Sequence, residues 1–157
     1  MILKLILVGK TNKSFLVEGE KEYTKRISRY VKFQEEVISD VKKSLSYSED
    51  EIKKREGIEI LNKINNSDYV ILLDENGKSF SSIEFSKKIE HFALNSIKSI
   101  VFVIGGAYGF SEDVYKRSNE SISLSKLTFS HQMVRVFFKE QLYRAFTILK
   151  GEPYHHK

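Results

Sequence analysis

The chain has 157 residues, 41% hydrophobic and 30% charged, with a single proline; this balance excludes a disordered or collagen-like polymer and suits one packed domain spanning 1–157. It has no cysteine, which excludes disulfides and thiolate metal sites, and its formal charge of +5 suits a polyanionic partner. The apolar opening run, Ile2 to Val8, is too short to cross a membrane and lacks a signal-peptide cleavage pattern, so no membrane association and a cytoplasmic location are expected.

Ile2–Val8 reads as a strand that ends at Gly9. From Asn12 to Tyr30 the apolar residues Phe15, Leu16, Tyr23, Ile27 and Tyr30 follow helical spacing, with Lys21, Lys25, Arg26 and Arg29 on the polar face. Phe33–Ile38 is a second strand, and 40–48 is the best candidate for a mobile loop. Ser48 and Glu51 have the spacing of a capping box, opening a charged helix that runs to about Ile64 with Ile52, Ile60, Leu61 and Ile64 as core contacts. Tyr69–Leu73 is a third buried strand, followed by a turn over Asp74-Glu75-Asn76-Gly77. Ser81 and Glu84 form another capping box, and Phe85, Ile89, Phe92 and Ala93 line one face of the next helix.

The fourth strand, Ile100–Ile104, is apolar throughout, as in a parallel sheet buried on both faces. It empties into Gly105-Gly106-Ala107-Tyr108-Gly109. Glycines at the carboxyl end of a buried strand fit a ligand site in an open α/β sheet, and their spacing fits a tight turn equally well. Ser111, followed by Glu112 and Asp113, starts a short helix, and a fifth strand near Ser121–Leu124 leads into the loop Ser125–Phe129. The last helix runs from about Gln132 to Leu149 and stops at Lys150-Gly151, before Pro153. Val134, Phe137, Phe138, Leu142, Ala145, Phe146 and Leu149 form its apolar stripe, with Arg135, Lys139 and Arg144 on the opposite side and Glu140 placed to pair with Arg144. Five strands alternating with helices predict an α/β fold with a mostly parallel sheet flanked by helices.

Familiar chemistry is largely excluded. Gly9-Lys10-Thr11 and Gly77-Lys78-Ser79 resemble the tail of a phosphate-binding loop, but Lys4 and Leu72 stand where its first glycine belongs. The glycine loop is not G-x-G-x-x-G, no nucleophilic triad is apparent, and His91, His131, His155 and His156 are too scattered for ligand spacing, so no metal is expected.

Several linked segments go further: Phe102-Val103-Ile104-Gly105-Gly106-x-x-Gly109, Ser123-Leu124-Ser125-Lys126-Leu127-Thr128-Phe129, His131-Gln132-Met133-x-Arg135-Val136, Glu140-Gln141-x-Tyr143-Arg144-Ala145, and the ending Gly151-Glu152-Pro153-Tyr154-His155. In this order, over the full length, they resemble the SPOUT-class ribosomal RNA large subunit methyltransferase H family. One departure is Ser130, where that family usually has proline before the motif histidine, which bears on the stiffness of this loop. The resemblance implies a C-terminal trefoil knot, a homodimer, S-adenosylmethionine as methyl donor, and N3 of a pseudouridine in large-subunit (23S) ribosomal RNA as acceptor. It carries cofactor contacts to Leu73, Gly105, Leu124, Ser125, Lys126, Leu127, Thr128 and Phe129. His155 is the candidate proton acceptor by residue type, with Arg144 or Tyr154 positioning the base or stabilising negative charge. His131 is read as positioning its loop. Tyr154 and His155, beyond the helix stop at Gly151, are expected to add nothing to the fold. Two alternatives are a non-catalytic RNA-binding protein on a SPOUT-like scaffold and a nucleotide- or flavin-binding α/β protein.

Overall fold

Ten elements follow one another in the computed structural model, which describes residues 1–41 and 46–156. They are β1 (Ile2–Val8), α1 (Ser14–Ile27), β2 (Lys32–Ile38), α2 (Glu49–Asn62), β3 (Tyr69–Ser79), α3 (Ser82–Leu94), β4 (Ser99–Ile104), α4 (Glu112–Arg117), β5 (Glu120–Ser123) and α5 (Met133–Leu149). Residues 42–45 of the expected mobile loop lie outside the described residues. The strands form one sheet in the order β2-β1-β4-β3-β5, every pairing parallel. Parallel neighbours need long crossovers, and the helices supply them. β4 lies between β1 and β3, and Ile100 to Ile104 are buried, which is why its sequence shows no polar alternation.

Two cores flank the sheet. On one face Leu3, Leu5, Leu7, Ile71 and Phe102 meet Phe85, Ile89, Phe138, Leu142 and Phe146 from α3 and α5. On the other, Ile6, Val8, Val70, Leu72, Val101 and Val103 meet Ile60 of α2 and Val114 of α4. Leu61 and Ile64 pack against this second core, although α2 itself stops at Asn62. The box at Ser81 is closed both ways by Glu84; at Ser48 the side chain accepts from the Glu51 N–H. Two expected core contacts face solvent instead: Phe15 on α1 is 62% exposed, and Ala93 on α3 is exposed.

The polar side of α5 departs most from expectation. Arg135 and Lys139 are 0% and 1% exposed, because this helix lies between α1 and α3 and covers the sheet with much of its circumference. Arg135 donates to the carbonyls of Gly9 (2.8 Å), Val8 (2.6 Å) and His131 (3.1 Å) and to Thr11 Oγ1 (3.0 Å). Lys139 Nζ sits 2.6 Å from Glu35 Oε1 and 3.2 Å from Glu20 Oε2. Burying an ammonium costs several kcal/mol unless it is paired, and two carboxylates on α1 and β2 provide the pairing here.

The turn expected at Asp74-Glu75-Asn76-Gly77 is absent. β3 runs through it to Ser79, with a shift in its register against β5 between Leu73 and Lys78. Asp74 Oδ1 accepts from the Asn76 N–H at 2.9 Å inside this irregularity. A Cβ on Gly77 would stand 2.6 Å from the backbone of Ile122, so the crossing requires glycine. The residues that suggest a turn are thus used to bend a strand.

Candidate functional site

A cavity of about 520 Å³ opens outside the carboxyl ends of β3, β4 and β5. That volume suits a small-molecule ligand. Its walls come from three places: the bulged part of β3 (Leu73 to Asn76), the glycine loop after β4 (Gly105 to Phe110), and the segment from Ile122 to His131.

The glycine loop is both a tight turn and a cavity wall, which joins the two readings left open by its spacing. The Gly109 N–H donates to the Gly106 carbonyl at 3.2 Å, and Gly109 has φ +83°, a conformation that favours glycine. The space left by the missing side chain of Gly105 is filled by the Phe110 ring, 3.0 Å from where a Cβ would stand. Tyr115 of α4 also lines the cavity and donates to Asp74 Oδ2. Burial, then this carboxylate, raises its phenol above the ordinary range.

The segment after β5 is held by its own serines and by β3. Ser123 Oγ donates to the Ser125 carbonyl at 2.8 Å, and Ser125 Oγ accepts from the Leu127 N–H at 2.9 Å. Thr128 Oγ1 donates to Glu75 Oε2 at 3.2 Å, linking the loop to the β3 bulge. Ser130, the departure from the family pattern, accepts from the Met133 N–H at 3.0 Å and so anchors the start of α5. His131 lines the cavity, and burial, followed by the Arg135 charge, lowers its pKa.

Of the residues assigned to cofactor contact, Leu73, Gly105, Leu124, Ser125, Leu127, Thr128 and Phe129 line this cavity and Lys126 does not. Sequence reasoning missed Asp74, Glu75, Tyr115 and Val134. The expected turn hid the first two, and nothing in the spacing of the others marks them.

Arg144, Tyr154 and His155 come together away from the cavity. Arg144 Nη2 pairs with Glu140 Oε1, Tyr154 donates to that same oxygen at 3.0 Å, and Arg144 Nη1 lies 3.3 Å from His155 Nδ1. A guanidinium only donates, so Nδ1 is the acceptor and its lone pair is engaged. Glu140 raises the pKa of Arg144, and burial, then hydrogen bonds to Tyr23 and Glu140, raise that of Tyr154. The tail is therefore part of the fold, contrary to expectation. Tyr154 stacks edge-on against Tyr143 at 4.7 Å and lies under Arg144, while Tyr30 donates to Glu152 at 2.6 Å. Val134, at the cavity, and Arg144 stand roughly 15 Å apart along α5 at the usual helical rise.

An all-parallel α/β sheet with loops from three strand ends around one cavity has the general form of a ligand-binding α/β protein. Over residues 1–155 the chain matches the family described as Predicted SPOUT methyltransferase. The chain belongs to that family. Similar proteins include the Ribosomal RNA large subunit methyltransferase H of Christiangramia forsetii, 56% identical over 157 residues with 100% of each chain covered. Those of Flavobacterium psychrophilum and Porphyromonas gingivalis are 56% and 48% identical, also with 100% of each chain covered. No group of His, Cys, Asp or Glu that could hold a metal ion occurs among the described residues. No helix among them is long and apolar enough to cross a membrane.

Proposed function

We propose that the chain is an S-adenosylmethionine-dependent methyltransferase, working as one domain in the cytoplasm on ribosomal RNA of the large subunit, at N3 of a pseudouridine. The observation that carries this reading is the cavity, where Leu73, Leu124 and Leu127 stand among backbone groups and hydroxyls. Leucines can enclose the faces of an adenine while backbone groups meet its edge, and the volume suits a nucleoside-sized molecule. In this reading the threading of residues 105–131 forms the trefoil knot.

When bound, S-adenosylmethionine supplies a methyl group already activated on sulfur. The chain's part is alignment, which can be worth roughly 7–11 kcal/mol, and handling one proton. N3 of the base carries a hydrogen that must leave. His155 Nδ1 accepts it once Arg144 has turned from the imidazole toward the base's carbonyl oxygens, where its charge stabilises the developing anion. Tyr154 positions the base through its hydroxyl. These groups stand too far along α5 to act on the cavity of their own chain, so a homodimer brings one protomer's tail to its partner's cavity. Lys25 on α1 and Arg29 just after it are exposed and available to phosphates, whereas Arg26 is tied to Glu22 at 2.7 Å and lies over Tyr23 and Tyr143.

Calorimetry with S-adenosylmethionine, paired with methyl incorporation into ribosomes carrying the pseudouridine, tests the reading. The donor should bind, and His155→Ala should lower methyl transfer by ~10²–10⁴-fold while leaving donor affinity unchanged. Removing Tyr154 to Lys157 should abolish transfer and, given the packing of Tyr154, also lower the melting temperature. Absence of donor binding favours a non-catalytic RNA-binding protein, and full transfer by the truncated chain removes the tail from the chemistry. Replacing Lys25 or Arg29 by Ala should reduce the slope of log affinity for RNA against log salt by about 1 each, and an unchanged slope places the RNA elsewhere.

A further inference from the structure

The carboxyl of Glu56 lies behind the glycine loop, on the side away from the cavity. Glu56 is 4% exposed, and its Oε1 is the one buried side-chain polar atom without a hydrogen-bond partner among the described residues. Such atoms are rare in native folds, because desolvating a polar group without pairing it is costly. The group faces Gly106: a Cβ there would stand 2.7 Å from Oε2 and 2.9 Å from Oε1. Gly106 in turn lines the cavity. One residue without a side chain therefore separates an acid from the ligand site. The neighbouring Gly57 packs against Ser111, the N-cap of α4, so α2 holds the carboxyl firmly in place.

Among the described residues no cation acts on it. Asp40, after β2, is the charge that acts on Glu56, and it is another acid. Of the nearby cations, Arg135 of α5 binds the Val8 and Gly9 carbonyls, and Lys63 at the end of α2 meets Glu36. Within α2 itself Lys53 pairs with Asp50 and Arg55 lies over the Tyr47 ring. On α4, Lys116 pairs with Glu112, Arg117 binds the carbonyls of Asn65 and Asp68, and the Tyr115 phenol binds Asp74. His131, across the cavity, is biased toward its neutral form. Burial and then Asp40 push the Glu56 carboxyl up to about 7, where a nearby positive charge decides whether its proton stays.

Resting on the reading of the cavity as a S-adenosylmethionine site, we propose that Glu56 senses the charge of the bound cofactor and favours the cationic donor over the neutral product. Its carboxyl proton passes to solvent when a sulfonium ligand occupies the cavity, since carboxylate and cation attract across a thin, water-poor wall. S-adenosylhomocysteine has a neutral thioether at that sulfur, so the proton returns after methyl transfer. The carboxylate's attraction for the ligand is then lost, and exchange of product for fresh donor is favoured.

Calorimetry on the full chain, in buffers of differing ionisation enthalpy from about pH 6 to about pH 8, reads the proton directly. S-adenosylmethionine should bind with proton release, and its affinity should rise with pH. The gain is at most about tenfold for each pKa unit by which the cation shifts the carboxyl. S-adenosylhomocysteine should bind with no net release and no such rise. Glu56→Gln should remove the release and narrow the donor–product preference near pH 8. Donor binding without proton release, equal release with both ligands, or release retained in a folded Glu56→Gln protein each overturns the inference while leaving the site reading intact. Failure of both ligands to bind the wild-type chain overturns the two together. Should the variant not fold, infrared difference spectra of the wild type decide: donor binding must remove the carbonyl band of a protonated carboxyl, and an unchanged band overturns the inference.

Discussion

Glu56 also ties stability to pH. Its folded midpoint is pushed up to about 7 from 4.5 in the open chain, so the folded state holds the proton more tightly. That contribution is fully present below about pH 4.5 and is lost as pH rises through about 7, a swing on the order of 3 kcal/mol. Urea unfolding should show wild type losing stability between about pH 5 and pH 8 relative to Glu56→Gln. Parallel stability curves for the two proteins would mean that the carboxyl is not buried in its charged form. Arg135 is the opposite case, because burial lowers its pKa but carbonyls at the end of β1 take up its donors. Truncating it would strand those carbonyls, at about 1–3 kcal/mol for each one left unpaired.

Among the elements, the bulged β3 has the most specific requirement. Gly77→Ala places a methyl group against the Ile122 backbone, so β5 must shift, and with it the wall formed by Ile122, Ser123 and Leu124. Ligand affinity should fall at least tenfold, and amide exchange in β5 should speed up before the rest of the sheet opens; unchanged exchange would show that the strand absorbs the methyl group. Sequence periodicity made the strands and helices legible because buried parallel strands and an amphipathic helix each have a characteristic spacing. It misplaced Asp74-Glu75-Asn76-Gly77, since turn residues and bulge residues are chosen for the same backbone freedom. It set Arg135 and Lys139 opposite the apolar stripe without showing their burial, because a charged residue read in isolation gives no sign of the carbonyls and carboxylates waiting 100 or more positions earlier in the chain. Most of the cavity wall was legible through linked motifs. The separation of the Arg144 cluster from that cavity was not, because nothing in the sequence shows that the cavity meets α5 only at its first turn, near Val134.

For the whole molecule, the apolar stripe of α5 is mostly consumed by the core and so carries no argument for a dimer. What remains outside is Phe137, 46% exposed and stacked on Phe129 at 5.0 Å, with Leu127 74% exposed beside the cavity. These residues are the proposed contact with a second copy. Phe137→Glu should give a monomeric mass in light scattering at micromolar concentration and abolish methyl transfer if the tail acts across the interface. A dimer unchanged by this variant would place the contact elsewhere. The Arg135 anchor has a further consequence, for the birth of the chain. β1 is made first, yet its closing carbonyls wait for a guanidinium 126 and 127 positions later, and β4 must reach the sheet before β1 and β3 are joined. Such long-range closure slows folding and prolongs the exposure of sticky strand edges. The end of β1 therefore gains this anchor only once α5 has left the ribosome.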